Sequence, residues 1–355
     1  MNIHAVILAG GRGERFWPQS REKKPKQLLA FTRGKSMLEE TIGRIEPLAP
    51  AANQWIITSA DLVPVIKKMG VLSRHLVGEP AGRNTAPAIA LAAAEINKLD
   101  PGAIMIVLPS DHSIKHVPKF RETLKTAVNL AQKKYLVAIG IAPDRPETGY
   151  GYIERGEILG ECVIPCFAVR SFREKPDALT AERFVRSGYF YWNGGIFAWR
   201  ADVILQNIER LMPDLFKRLG AWQDKGGLAA GMKAFAGFYQ DVEKISIDYG
   251  VMEKADRVAV VKGDFGWDDL GSWEAIERFY PADANRNVAV GEAVAVDSAG
   301  NITVGDEGVI ATLGVNDLIV VRSGDAVLVC HRSRAQEVRK ALAEMRKRDA
   351  MKKYL

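Results

Sequence analysis

Cysteine is scarce: the 355 residues hold three, Cys162, Cys166 and Cys330, an odd number with no matching His or Cys group beside them. That argues against a disulfide framework and a structural zinc site, and the thiols are expected to be buried and reduced. Long apolar runs are missing as well. The N-terminal stretch Ala5 to Leu8 gives way at once to glycine and arginine, so neither a signal peptide nor a membrane span fits, and the chain reads as cytoplasmic. The GxxxxGK[ST] phosphate loop is absent, and Gly11-x-Gly13-x-x-Phe16 lacks the third glycine that a dinucleotide fold needs.

Charge of one sign is also missing from most of the chain. The net charge is +6, yet nine Lys/Arg against three Asp/Glu follow Cys330, so the preceding residues balance to zero. Val338, Ala341, Leu342 and Met345 recur in that tail at helical spacing, which describes an amphipathic helix docked on the body with a solvated basic face. A nucleic-acid or anionic-membrane partner is therefore not expected. With 47% hydrophobic residues, the chain can bury one large core or a large domain with a smaller one attached.

Short apolar runs alternate with helical patterns through the first 140 residues, as βαβ units with a parallel sheet do. Ala5 to Leu8, Trp55 to Thr58, Ile104 to Leu108 and Leu136 to Ile139 read as strands buried on both faces. Ser36 to Ile45, Asp61 to Met69, Thr85 to Leu99 and Phe120 to Lys133 read as helices, with Ser36 and Asp61 as caps. In an open α/β sheet ligands collect beyond the carboxyl ends of the strands, so the residues after Leu8 and Leu108 are the first places to seek chemistry. After Tyr150 the pattern is mixed, with strands at Tyr150 to Glu154, Cys166 to Phe172 and Gly195 to Trp199 and a helix at Leu179 to Ser187. Beyond about Pro281, Val288 to Val296, Ile302 to Val304, Gly308 to Leu313 and Leu318 to Val321 are short β runs with no long helix between them. They suggest a small β-solenoid or β-roll. The expected division is a catalytic region over 1–280 and a C-terminal β region with its terminal helix over 281–355.

The first strand runs into Leu8-Ala9-Gly10-Gly11-Arg12-Gly13-Glu14-Arg15-Phe16-Trp17-Pro18, followed by Pro25-Lys26-Gln27. Three glycines let backbone N–H groups approach an anion, and Arg12, Arg15 and Lys26 supply positive charge. This segment resembles the signature of the sugar-nucleotide pyrophosphorylases, and more narrowly of the mannose-1-phosphate guanylyltransferases. The resemblance continues through Glu79 to Ala88, Pro109 to His112, Thr148 to Ile153, Glu174-Lys175-Pro176, Trp192 to Gly195, Ile247 to Lys254 and Trp267 to Trp273. Phe16 and Gln19 stand where that family often has leucine, and Arg173 where it often has an apolar residue.

The resemblance implies a Rossmann-like, mainly parallel mixed sheet of the nucleotide-diphospho-sugar transferase type with a left-handed β-helix-like C-terminal region. It implies GTP and mannose 1-phosphate as substrates, Mg²⁺ as cofactor and a homodimer. Leu8, Ala9, Gly10, Gly11, Arg12 and Gly13 would hold the nucleotide, with Arg15 and Lys26 on the triphosphate and leaving pyrophosphate. Lys175 would meet the sugar phosphate, and Asp111 and Asp269 would bind the metal. Gly149, Glu174 and Asn193 would read sugar hydroxyls. Guanine would fall to the loop carrying Arg83, Asn84 and Thr85. These roles agree with the chemistry, because a phosphate monoester is already largely a dianion at neutral pH and needs no general base. No convincing catalytic triad is present, and the expected work is alignment and charge stabilisation. Some carboxylates have plainer readings, Asp248 as a helix start and Asp111 and Asp269 as caps. Because the chain stops at Leu355, a fused isomerase activity is not expected.

Overall fold

A computed structural model describes residues 2–31, 34–71, 75–160 and 162–355. The backbone packs as two compact units, one of Met1–Gly10, Thr41–Ser110 and Ile114–Trp267, the other of Gly11–Glu40, Asp111–Ser113 and Asp268–Leu355. The glycine-rich segment thus packs with the C-terminal β region, across the chain division expected near residue 280. Among the described residues no helix is long and apolar enough to cross a membrane.

The first unit is built on strands β1 (Ile3–Ala9), β2 (Gln54–Ser59), β3 (His75–Glu79) and β4 (Ile104–Pro109), then, after the two-residue β5 (Ser113–Ile114), β6 (Leu136–Ile141), β7 (Gly151–Ile158), β8 (Cys166–Glu174), β9 (Phe190–Arg200) and β10 (Val258–Gly263). All but β5 form one sheet of order β3-β2-β1-β4-β9-β6-β10-β8-β7. The parallel character lies in β3-β2-β1-β4 and in the β6–β10 pair. Elsewhere β9 runs antiparallel between β4 and β6, and β7 and β8 close the far edge antiparallel. The parallel strands read as continuous apolar runs because both their faces are covered, and Val6, Ile7, Ile56, Ile57, Ile106 and Val107 are fully buried.

Helix α1 (Met37–Ile45) opens on Ser36 as expected: Ser36 N donates to Glu39 Oε2 at 2.8 Å and Glu39 N to Ser36 Oγ at 3.2 Å, a reciprocal capping box. Asp61 does not cap. It sits inside a tight turn, Ala60–Leu62, ahead of α2 (Val63–Lys68), and makes no capping bond. Helix α3 (Thr85–Leu99) is buried on most of its circumference and is capped by Asn84, whose Oδ1 accepts from Thr85 N at 2.9 Å. Helices α4 (Val117–Gln132), α5 (Ala178–Ser187), α6 (Ala201–Leu211), α7 (Pro213–Gln223) and α8 (Met232–Gln240) complete this unit. Cys162 and Cys166 are joined in a disulfide, which overturns the expectation of reduced thiols: their Cα atoms lie 6.2 Å apart, within bridging range. Cys330 is free and half-buried.

After the two-residue β11 (Trp267–Asp268), the second unit contains β12 (Val288–Val296), β13 (Ile302–Leu313), β14 (Leu318–Ser323) and β15 (Ala326–His331) in sequential order. The first three are parallel and joined by tight turns, which is the coil of a β-solenoid, and β15 returns antiparallel. Stacked asparagines hold the turns: Asn301 N donates to Asn287 Oδ1 at 3.0 Å, and Leu318 N to Asn301 Oδ1 at 2.9 Å. Val288, Ile302, Ile319 and Val321 form one apolar cluster with Phe16, Trp17 and Leu29 of the glycine-rich segment and with Trp273. Trp273 Nε1 donates to Trp17 O at 3.0 Å, which secures the cluster's polar edge. Helix α9 (Val338–Arg346) docks on it through Val338 and Leu342.

Candidate functional site

The glycine-rich segment owes its course to one close approach. Gly13 has φ +63°, and a Cβ there would lie 2.3 Å from Lys26 Cβ, so only glycine lets the two stretches touch. Lys26 is 5% exposed. Its ammonium donates to Asp111 Oδ2 at 2.8 Å and to Asp269 O at 2.5 Å, uniting three distant parts of the chain. Burial pushes the Asp111 carboxyl up, but the Lys26 and His112 charges outweigh it and hold the group below its usual value. Arg12, Arg15, Lys26, Asp111, Asp269 and Arg339 line a cavity of about 430 Å³ there.

The three aspartates near residue 268 are separated by geometry. Asp268 accepts from Arg278 Nε, from Arg278 Nη2 at 2.9 Å and from Leu270 N at 2.8 Å, so its carboxylate is committed to the turn. Leu270, at φ +47°, turns the chain back, and Asp269 lines the cavity. Asp264 is exposed and lies 3.6 Å from Lys119. A cavity lined by four cations, Arg12, Arg15, Lys26 and Arg339, and by the carboxylates of Glu14, Asp111 and Asp269 can take a polyphosphate, with a divalent cation between phosphate oxygens.

In the first unit, the loop after β3 spends its polar side chains on the backbone. Arg83 Nε and Nη2 donate to Tyr239 O and Gln240 O at 3.1 and 2.6 Å, Asn84 caps α3, and Thr85 Oγ1 accepts from Ile247 N at 2.9 Å. Glu79, at the end of β3, is different. It is 9% exposed, its Oε1 accepts from Tyr239 Oη at 2.8 Å, and a Cβ on Gly10 would meet its Oε2 at 3.4 Å. Burial raises its pKa to about 7 against the opposing effect of the tyrosine. Neither Glu79 nor Tyr239 stands out as a functional side chain in the sequence. The Glu-Pro step only marks the region.

A second polar group gathers around β7, β8 and β9. Lys175 Nζ is 2.6 Å from Glu174 Oε1, and Asn193 Nδ2 donates to Asp248 Oδ1 at 2.8 Å. Burial lowers the Lys175 pKa, but Glu174, Tyr249 and Asp248 raise it more. Burial, with Glu174 nearby, lifts Asp248 to about 6. Gly151 is what admits Glu174, since a Cβ there would sit 2.3 Å from its Oε2. The amide of Gly149 donates to Glu147 Oε1 at 3.0 Å. Lys175, Glu174 and Asn193 are therefore brought together, with Asp248 among them.

The sheet order and the cationic cavity define a nucleotidyl transferase, and the nucleotidyl transferase family model matches residues 4–286, followed by a MannoseP isomerase/GMP-like beta-helix domain over 291–345. A mannose-1-phosphate guanylyltransferase of Klebsiella pneumoniae is 39% identical over 95% of this chain and 72% of its own length. A solved structure described as a mannose-1-phosphate geranyltransferase from Thermus thermophilus superposes with TM-score 0.88 at 40% identity, covering 98% of this chain and 100% of that one. A mannose-6-phosphate isomerase structure from Helicobacter pylori gives TM-score 0.61 at 28% identity over 76% of this chain and 100% of its own. The chain belongs to the mannose-1-phosphate guanylyltransferase family of nucleotidyl transferases.

The buried Glu79 carboxyl gives a test of this environment. A carboxyl whose pKa is raised on folding adds stability below its unfolded value near 4.5 and loses it as pH rises through about 7. Glu79→Gln, which keeps an acceptor for Tyr239, is expected to flatten that slope by an amount on the order of 3 kcal/mol at most. Urea unfolding of both proteins at pH 5 and pH 8 measures it, and a pH-independent difference would show that Glu79 titrates normally.

Proposed function

We propose that this protein transfers GMP from GTP to α-D-mannose 1-phosphate, forming GDP-mannose and pyrophosphate. The observation that carries the reading is the cavity in which Lys26 meets Asp111 and Asp269 beside Arg12 and Arg15. In the reaction a phosphate oxygen of the sugar phosphate forms a bond to the α-phosphorus while the bond from that phosphorus to the α,β-bridging oxygen breaks. The electron pair leaves on pyrophosphate, and no proton has to move. Lys26, Arg12 and Arg15 bind the triphosphate and take up the charge that develops on the leaving group. Gly10 to Gly13 give the backbone room beside the phosphates, and Leu8 and Ala9 lead into that turn.

Asp111 and Asp269 would hold Mg²⁺, which when bound neutralises phosphate oxygens. The donor set fits, since a cation, the Lys26 ammonium, already sits against the Asp111 carboxylate and the Asp269 carbonyl, and Mg²⁺ commonly takes one or two carboxylates plus phosphate and water. On the sugar side, Lys175 meets the phosphate, and Glu174, Asn193 and Gly149 read hydroxyls. The Glu79 to Thr85 loop selects guanine, with Arg83, Asn84 and Thr85 shaping it. We read 1–280 as the catalytic region and 281–355 as the β-helix-like region. The isomerase in the Helicobacter pylori description remains a property of that protein.

Pyrophosphate release with mannose 1-phosphate and each of GTP, ATP, UTP and dTTP tests the reading. GTP should lead by at least about a hundredfold in kcat/KM, and turnover with UTP or dTTP in its place would overturn it.

The metal assignment separates neighbouring residues. Asp269→Asn should cut kcat on the order of a thousandfold with little change in stability, as loss of charge stabilisation worth several kcal/mol requires. Asp268→Asn should instead lower the melting temperature while retaining most turnover, since it releases Arg278 and the Leu270 amide. The opposite pattern in paired kinetic and thermal measurements would move the ligand by one residue.

The C-terminal β region supports the homodimer. Val294 and Val296 of β12 and Val309 and Leu313 of β13 are 53%, 47%, 59% and 73% exposed, an apolar ribbon left uncovered by the described residues of the single chain. Light scattering should give the mass of two chains for the native protein and of one for Leu313→Asp. A native monomer, or a variant that stays paired, would remove this role.

A further inference from the structure

The basic C-terminal helix carries one charge that the reaction as described leaves unused. Val338, Leu342 and Met345 of α9 recur at helical spacing, and the first two are 4% and 3% exposed against a cluster that includes Phe16 and Trp17. Arg339 and Arg346 each follow a member of that stripe by one residue, so both flank it on the same side. Arg346 uses this position to pair with Glu14, which pins the helix to the glycine-rich segment. Arg339, seven residues earlier on the same side, lines the cavity with Arg12, Arg15, Lys26 and Asp111.

What distinguishes Arg339 is that it is uncompensated. Lys340 pairs with Glu337 and Arg346 with Glu14, whereas Arg339 makes no ion pair among the described residues. Glu14, Asp111 and Asp269 line the same cavity, but none of them pairs with Arg339, so its guanidinium adds positive potential beside Arg12, Arg15 and Lys26, a repulsion that a bound polyanion relieves. The guanidinium fork matches phosphate oxygens and, unlike the ammonium of Lys26, offers several donors in one plane. We infer that Arg339 binds the β- and γ-phosphoryl groups of the nucleotide and the pyrophosphate that leaves, so that α9 completes the cation set of the phosphate pocket. The inference rests on the nucleotidyl-transfer reading. It adds a phosphate-binding residue from the far end of the chain, and it assigns to a diphosphate group a residue whose charge otherwise reads as a solvated face.

The test uses the full chain and inorganic pyrophosphate as the probe. Calorimetric titration of the native protein, Arg339→Ala and Arg339→Lys is joined to steady-state kinetics of the reverse reaction, GDP-mannose plus pyrophosphate. Arg339→Ala is expected to weaken pyrophosphate binding and raise its KM by about tenfold, the effect of one charge-assisted hydrogen bond. The KM for GDP-mannose should stay within about twofold, Arg339→Lys should recover part of the loss, and Lys340→Ala should behave as native. A helix that only supports the fold would move both KM values together and would gain nothing from lysine, and that result overturns the inference. If the native protein turns over but Arg339→Ala binds pyrophosphate equally well, the inference fails alone. If the native protein neither binds pyrophosphate nor turns over, the functional reading falls and the inference with it.

Discussion

A buried ammonium cannot stand alone. Desolvating Lys26 costs several kcal/mol unless an opposite charge and hydrogen-bond acceptors meet it, and its acceptors come from two places far apart in sequence, the Asp111 carboxylate and the Asp269 carbonyl. The approach is possible because Gly13 lacks a Cβ that would collide with Lys26. It persists because Phe16, Trp17, Leu29, Leu270 and Trp273 form one buried cluster on which these stretches rest. The placement of cations and carboxylates around the cavity follows from satisfying that one charge.

The protein keeps two populations of carboxyl groups, and the difference is environmental. Asp111 is half-buried, but adjacent cations overcome the desolvation cost and hold its carboxyl below the usual value. Asp248 is half-buried beside another acid, Glu174, and is lifted to about 6, and Glu79 is lifted to about 7 where a phenol is its hydrogen-bond partner. A carboxyl poised near neutrality can either donate or accept a hydrogen bond. The same kind of side chain is thus held as a paired charge in one place and near neutrality in another.

The parts legible in the sequence are those whose signal is local. Ala5 to Leu8 and Ile104 to Leu108 announce themselves because strands covered on both faces need unbroken apolar runs, and the glycines and cations after Leu8 single out the stretch that lines the cavity. Strand β3 gives no such run, since His75, Leu76 and Gly78 are only half-buried at the sheet edge. Val258 to Val261 carries an apolar run as plain as the others, and its absence from the expected strands has no physical reason. Ile302 to Val304 and Gly308 to Leu313 look like two strands but form one, β13, with a register shift opposite Val290 and Glu292. Arg83, Asn84 and Thr85 read as polar candidates for contacting a ligand, yet their side chains hydrogen-bond the backbone, which their spacing cannot reveal. Arg339 is illegible as a cavity residue because most of its neighbours in the cavity lie hundreds of positions away.

The C-terminal β coil is more than an appendage to the catalytic chain. Its inward residues Val288, Ile302, Ile319 and Val321 share a cluster with Phe16 and Trp17, the residues that carry the glycine-rich turn. Trp17 Nε1 also donates to Tyr354 O at 2.8 Å, and Arg21 reaches Asp325 at 3.1 Å, so the turn is held by the last residues of the chain as well. Deleting the chain from the coil onward would expose the underside of the glycine-rich turn and leave the Trp17 donor without its acceptor, costs that fall on folding. Truncation would therefore disturb the glycine-rich turn together with the exposed ribbon. A charge placed on the ribbon would leave the turn alone, because Leu313 lies 73% exposed and outside the buried cluster.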